Sequence, residues 1–109
     1  MSDLFPATTP APPYVAVIFT TEQTADLDGY AAMAERMLEL ARQQPGFLGV
    51  ESAREAGLGI TVSYWRDLDA VHAWGAHPEH LEAQRLGRER WYSNWRLRVV
   101  EVTKERGAD

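Results

Sequence analysis

Cysteine is absent from the 109-residue chain. Its absence excludes disulfide bonds, thiolate nucleophiles, iron–sulfur clusters and cysteine-based zinc sites, and it fits a reducing compartment. The chain also lacks any apolar run near the ~20 residues needed to cross a membrane, and its start, MSDLFP, lacks the regions of a signal peptide. We therefore expect a cytoplasmic protein with no membrane partner.

Positive charge is scarce as well. Lys and Arg number 11 against 16 Asp and Glu, which gives a net charge of -5. Such a chain has no general electrostatic attraction to phosphate backbones, so we expect no nucleic-acid partner. Hydrophobic residues make up 45 % of the sequence, which is typical of a globular protein, and the length suits one domain.

Proline is concentrated at the start of the chain, where residues 1–13 hold Pro6, Pro10, Pro12 and Pro13. Proline resists both helix and central strand, so these residues are predicted to form a flexible arm. The alternative is a segment that lies across a partner subunit. The domain itself is expected over residues 14–104, followed by a polar tail at 105–109.

The first half of the domain alternates strand and helix patterns. The run YVAVIFTT predicts a strand at 14–21, and Asp26 is expected to cap a helix from Leu27 to about Gln44, which Pro45 and Gly46 end. Strands are predicted at 47–56 and 60–66, joined by a tight connection.

The second half begins with Asp67, which is expected to cap a helix that starts at Leu68. His77 and Pro78 interrupt this helix, a further helical segment covers about 78–90, and a strand closes the domain at 95–102. The order β-α-β-β-α-β predicts an α+β, ferredoxin-like antiparallel sheet with both helices on one face.

A sheet with helices on one side leaves its other face bare. Pairing with an identical sheet under two-fold symmetry covers such a face, so we predict a homodimer through the sheet. The candidate interface residues are Phe19, Val50, Leu97 and Val99, with the strand register left open.

The stretch YWRDLDAVHAWGAHPEHLEAQRLGRERWYSNWRLRVVEV, which starts at Tyr64, carries a family resemblance. Its third strand ends in Trp65, an acidic cap opens a helix, an aromatic residue precedes a Pro-x-His element at 74–80, and Arg and Val fill the last strand. With PGFLGVES after the first helix, residues 14–104 resemble the antibiotic biosynthesis monooxygenase family.

The resemblance implies a dimeric α+β barrel with a cleft between sheet and helices in each subunit. Its members include cofactor-independent monooxygenases that act on aromatic molecules, and haem-degrading enzymes. In the oxygenases a tryptophan at the position of Trp65 lines the cleft and an asparagine lies four residues earlier, where this chain has Thr61. In the haem-degrading branch an Ala-His pair binds iron, but Ala83 and Gln84 stand there, which argues against haem.

The candidate catalytic residues are Trp65, His80 and Tyr92. Trp65 would form an apolar wall with one N–H donor, and the alternative is that it packs in the core. His80 could carry a proton near neutral pH, against the alternative of a surface or dimer contact. Thr61, Trp74 and Trp91 are the candidate substrate contacts.

Two further groups of residues have structural alternatives. His72, His77 and His80 are close in sequence, but the break at Pro78 and the spacing of nearby carboxylates match no ligand pattern, so we expect no metal. Arg85, Arg88 and Arg90 beside Trp91, Tyr92 and Trp95 could capture an anion, or could pair with Glu79, Glu82 and Glu89 at helical spacing.

The sequence thus predicts a cofactor-independent monooxygenase-like protein that oxidises a small phenol- or quinol-type aromatic molecule in an apolar cleft. In such chemistry the substrate supplies the electrons, so the protein orients it, excludes water and accepts a proton. The alternatives are a module that binds a small hydrophobic metabolite unchanged, and a haem-binding protein.

Overall fold

The fold is known from a computed structural model that describes residues 5–108. Within these residues the elements are β1 (Tyr14–Gln23), α1 (Tyr30–Arg42), β2 (Phe47–Glu55), β3 (Leu58–Trp65), α2 (Leu68–Gly75), α3 (Pro78–Leu86), a π-helical turn (Gly87–Trp91) and β4 (Tyr92–Val102). The strands form one antiparallel sheet in the order β2-β3-β1-β4. The predicted ferredoxin-like topology is therefore confirmed.

One face of the sheet packs against the helices. Trp65, at the end of β3, contacts Ala41 of α1 and Ala70 of α2 there, and we call this the helix face. Because side chains alternate along each strand, the register then assigns the other residues of the face. They include Val15, Val17, Phe19, Thr21, Val50, Thr61, Ser63, Trp95, Leu97 and Val99.

The opposite face carries no helix among the described residues, and we call it the open face. It includes Tyr14, Ala16, Ile18, Leu58, Ile60, Val62, Tyr64 and Val100. Leu58 and Ile60 are 59 % and 52 % exposed, and Val100 is 39 % exposed. These three side chains leave apolar surface in contact with water, while Tyr14 and Ala16 on the same face are buried.

The predicted interface residues were assigned to the wrong face. The strand register shows that all four lie on the helix face, on the same side of the sheet as Trp65: Phe19, Val50, Leu97 and Val99. A shift of one residue moves a whole strand's side chains to the other face, and the sequence alone does not reveal which half of an almost continuously apolar strand points inward.

Residues 5–13 contact one end of the open face. The Ala7 N–H donates to Glu51 Oε1 over 2.7 Å. The hydroxyl groups of Thr9 and Tyr14 donate to Glu105 Oε1 over 2.6 and 3.0 Å, which joins the arm to the tail. The flexibility of residues 1–13 stays a prediction, and residues 1–4 lie outside the described part.

Element boundaries show which local signals were reliable. Asp67 caps α2 as predicted, since its Oδ1 accepts from the Ala70 N–H over 2.9 Å. Asp26 does not cap α1, which begins later, at Tyr30, after Gly29 with φ of 79°. β4 begins at Tyr92 rather than Trp95, since Tyr92 already pairs with β1. No helix within residues 5–108 is long and apolar enough to span a membrane.

Candidate functional site

An aromatic cluster joins the end of β3 to α2 and α3, and we call it the Trp65 cluster. Phe47 meets Trp65 edge to face with ring centroids 5.5 Å apart, and Trp74 stacks on Trp65 at 6.2 Å. His80 in turn stacks on Trp74, with centroids 4.2 Å apart and planes 15° from parallel. Three of the predicted site residues, Trp65, Trp74 and His80, are therefore brought together.

Trp65 itself is a core residue in this conformation. Its exposed fraction is 0 %, and its indole Nε1 donates to Ser63 Oγ over 2.9 Å. A ligand cannot touch a side chain with no exposed surface, so direct contact would require Trp65 or its neighbours to move. Its packing determines the orientation of Trp74, which is only partly buried.

Hydrogen bonding favours one tautomer of His80. Its Nδ1 lies 2.9 Å from the carbonyl oxygen of Trp74, and because a carbonyl only accepts, this contact favours a proton on Nδ1 and a lone pair on Nε2. Burial lowers the pKa of His80, and the nearby His77 lowers it further, while the Trp74 hydrogen bond acts in the opposite direction. Neutral imidazole is therefore favoured, as a proton acceptor requires.

The other histidines do not join His80 in a site. His77 caps α3, where its Nδ1 accepts from the Glu79 N–H over 3.2 Å, and His72 is exposed on α2. Gln84, at the position of the haem-binding histidine in the resembling family, donates to the Gly75 carbonyl over 3.2 Å. Within residues 5–108, no three His, Asp or Glu side chains are grouped to hold a metal ion.

A second aromatic cluster lies at the other end of the helix face, and we call it the Tyr92 cluster. Tyr92 meets Phe19 and Tyr30 edge to face, with centroids 5.5 and 6.0 Å apart, and its hydroxyl donates to that of Tyr30 over 3.4 Å. Trp91 packs edge to face on Tyr30 and is 3 % exposed, with Nε1 donating to the Asp28 carbonyl over 3.0 Å. The buried Trp91 side chain thus packs against the Tyr30 ring and helps to fix its position.

The Tyr92 hydroxyl is held in its protonated form. Burial raises its pKa most, and the hydrogen bond with Tyr30 raises it further. A protonated phenol can donate a hydrogen bond to an oxygen anion but is a poor base near neutral pH.

Between the clusters runs a strip of the helix face, made of Val17, Thr61, Ser63, Leu97 and Val99. Leu97 is 49 % exposed and Val99 43 % exposed. Val15 pairs with Trp65 and Phe19 pairs with Thr61, so four residues of β1, ~13 Å, separate the two clusters. The predicted site residues therefore form two groups, with Thr61 at the Phe19 end of the strip.

The predicted arginine cluster is mostly paired with acids. Arg85 contacts Glu82 and Glu89 at helical spacing, and Arg90 contacts Asp26. These contacts match the alternative of ion pairing rather than anion capture.

Two residues near the site were not predicted from sequence. Tyr30 falls within the helix predicted from Leu27 to about Gln44, but it was not among the predicted site residues. Arg54 lies on the helix face of β2, where its guanidinium carbon is 5.7 Å from the centre of the Tyr30 ring. The alternation of Val50, Ser52 and Arg54 along one strand face was the available signal.

An open groove of about 330 Å³ lies elsewhere, near the start of β1 and of α2. None of the six predicted site residues lines it. Its lining combines four charged residues with four apolar or aromatic ones: Arg66, Asp67, Asp69 and Glu101, and Pro13, Tyr14, Val15 and Leu68.

Comparison with known proteins gives the family. Residues 13–86 match the profile of a family described as antibiotic biosynthesis monooxygenase. A Bacillus subtilis relative, the uncharacterized protein YqjZ, is 52 % identical over 103 residues, which are 94 % of this chain and 90 % of the relative. A jasmonate monooxygenase of Pyricularia oryzae is 30 % identical over 92 residues, 81 % of this chain and 43 % of that protein.

Solved structures share the fold at low identity. SnoaB of Streptomyces nogalater, described as a cofactor-independent oxygenase, has a TM-score of 0.72 and 18 % identity, covering 86 % of this chain and 97 % of SnoaB. Rv0793 of Mycobacterium tuberculosis has a TM-score of 0.75 and 18 % identity, covering 86 % and 99 % of the two chains.

Proposed function

Because the chain belongs to the antibiotic biosynthesis monooxygenase family, we propose that it is a cofactor-independent monooxygenase-like protein that oxidises a small phenol- or quinol-type aromatic molecule. The observation that carries the proposal is the half-exposed apolar strip on the helix face, with an aromatic cluster at each end. Such a surface suits a flat apolar ligand. The names of the Pyricularia oryzae relative and of SnoaB support oxygenase chemistry as the class.

The spacing of the clusters bears on ligand size. The backbone positions of Val15 and Phe19 are about 13 Å apart, and the side chains of the two clusters occupy part of this distance. The space that remains along the strip suits a ligand of fused rings. Trp74 and Thr61 are the proposed ligand contacts at the two ends. Trp65 and Trp91 act from the core, where they orient Trp74 and Tyr30.

The proposed chemistry uses the substrate's own electrons. For anthrone, whose CH₂ group lies between two rings, the overall reaction is R₂CH₂ + O₂ → R₂C=O + H₂O. His80 Nε2 accepts the proton of the CH₂ group, and the Tyr92 hydroxyl turns from Tyr30 to donate its hydrogen bond to the developing oxyanion. The carbanion passes an electron to O₂, and the two radicals combine to a peroxide anion. His80 returns its proton to this anion, and loss of water from the hydroperoxide leaves the ketone.

Oxygen uptake with anthrone, in the presence of EDTA and without added flavin, tests the proposal. Tyr92→Phe is expected to lower turnover about 100-fold, since it removes one positioned donor. Tyr64→Phe is the matched control, because Tyr64 has a pKa raised to about 12 by burial and by Glu51 but lies on the open face. Equal activity of the two variants would refute the role of Tyr92, and no uptake by the unaltered protein would refute anthrone-type oxidation.

Two observations favour a second function, the binding of a small hydrophobic metabolite without reaction. Trp65 has no exposed surface, and Thr61 stands where the oxygenases of the resembling family have asparagine. A ligand that is recovered unchanged from the purified protein, with no oxygen uptake, would favour this binding module over the enzyme.

We also propose that two copies pair through the open face. Exposed Leu58, Ile60 and Val100 support this arrangement, with Ile18 and Val62 beside them. A stable association typically buries ~800 Å² per subunit, and half of that as apolar area contributes ~10 kcal/mol before the entropy of association is subtracted.

A further inference from the structure

Arg54, on the helix face, differs from the arginines that pair with acidic side chains. Arg36, Arg66, Arg85 and Arg90 each contact a carboxylate. The contacts of Arg54 within residues 5–108 are instead with neutral groups: the Thr21 hydroxyl, the Gly57 carbonyl and the Tyr30 ring. A cation on the helix face whose contacts in the described structure are all with neutral groups is a candidate for binding an external anion.

The Arg54 guanidinium is held in one position by these contacts. Nη2 donates to Thr21 Oγ1 over 2.6 Å and Nη1 donates to the Gly57 carbonyl over 3.1 Å. The group lies against Gly59, where an added Cβ would overlap the guanidinium carbon. Thr21 is 7 % exposed, so the partner that orients Arg54 is itself fixed in the fold.

The remaining donors are suited to an anion. A guanidinium has five N–H groups, and the two contacts within residues 5–108 use one on each Nη, which leaves the Nε–H and one hydrogen on each Nη. This planar set matches the two oxygens of a carboxylate. Arg54 is exposed overall, so a ligand can reach it.

Arg54 also lies beside the Tyr92 cluster. Its guanidinium covers the ring of Tyr30, which is hydrogen bonded to Tyr92. Thr21, its partner, is two residues beyond Phe19 on the same face of β1 and pairs with Trp95 of β4. The positive charge therefore lies at the Tyr92 end of the apolar strip.

We propose that Arg54 binds an anionic oxygen group of the ligand, most suitably a carboxylate, so that the ligand is an aromatic or apolar acid with its ring system on the strip. The inference rests on the proposed ligand site on the helix face and adds a substrate class to it. Preorganisation by Thr21 and Gly59 means that little side-chain entropy is lost on binding.

Calorimetric titration with 2-naphthoate and 2-naphthamide at pH 7.5 tests the inference, since the two probes have the same rings and differ in charge. The unaltered protein is expected to bind naphthoate at least tenfold more tightly. Arg54→Gln should remove this preference and leave the affinity for naphthamide within twofold. Arg54→Lys, which keeps the charge without the planar fork, should retain part of the preference.

Arg85→Gln is the matched control. It removes the same charge from the exposed Glu82–Arg85–Glu89 contacts and should leave both affinities unchanged. Naphthamide binding without a preference for naphthoate, or a preference that survives in Arg54→Gln, would overturn the anion site while the apolar site stands. Failure of both probes to bind would overturn both. If Arg54→Gln does not fold, Arg54→Lys supplies the test. Two results with Arg54→Lys would overturn the role of Arg54: affinities for both probes equal to those of the unaltered protein, or equal losses of affinity for both probes.

Discussion

Gly46 offers the sharpest test of how the core beneath the site is packed. It follows α1 with φ of +85°, a left-handed conformation that costs an alanine ~1–2 kcal/mol. A Cβ there would lie 2.7 Å from the Cβ of Ala70, which is buried against Trp65. Overpacking of this kind adds ~1–3 kcal/mol, so Gly46→Ala is expected to lower the free energy of unfolding by ~2–5 kcal/mol.

Two other glycines separate the conformational cost of the left-handed backbone from the cost of overpacking. Gly57 has φ of +83° with nothing within 4 Å of the added Cβ, so Gly57→Ala should lose only the conformational ~1–2 kcal/mol. Gly75, at the end of α2, also has free space, and Gly75→Ala should stabilise by up to ~1 kcal/mol.

Urea unfolding followed by tryptophan fluorescence, at one protein concentration, measures all three. Ala70→Gly combined with Gly46→Ala should recover part of the loss, because it removes the other methyl group. Equal losses in Gly46→Ala and Gly57→Ala, or strict additivity in the double variant, would refute the overlap with Ala70.

Two further predictions concern pH and assembly. The pKa of His80 is lowered by burial, so the folded state favours the neutral ring; stability should be highest above the ordinary value of 6.5 and fall as the pH drops below it. His80→Gln should flatten this dependence between pH 6.5 and 5, the exposed His72→Gln should not, and identical profiles for the two variants would contradict the assignment. Sedimentation at ~10 µM should give a dimer that Ile60→Glu, on the open face, converts to monomer; a folded 12.3 kDa species from the unaltered chain would contradict pairing.

The order of elements was predictable because its signals are local. Asp67 before an apolar helix, Pro78 at a helix start and the alternation of β3 each specify their own few residues, and all three were confirmed. Asp26 gave the same local signal as Asp67 but contacts Arg90, which is distant in sequence. Its Oδ1 also accepts from the Asp28 N–H over 3.3 Å, in the segment before α1 begins.

The site was less predictable because it depends on which strand face meets the helices. Phe19, Leu97 and Val99 have the residue types of either an interface or a cleft, and only the register decides between them. Arg54 was overlooked since an arginine on an edge strand usually lies in water. The role proposed for it depends on the absence of a side chain at Gly59 and on the position of Tyr30.

The π-helical turn at Gly87–Trp91 constrains how the chain can change in length. A π turn holds one residue more than an α turn, and here its last carbonyls, of Arg90 and Trp91, accept from the Thr24 hydroxyl and N–H over 2.6 and 2.8 Å. Deleting one residue would restore an ordinary helix but rotate Trp91 by ~100° about its axis. Substitutions at the exposed Arg88 should therefore be tolerated, whereas an insertion or deletion in the turn would displace Trp91 from its packing on Tyr30.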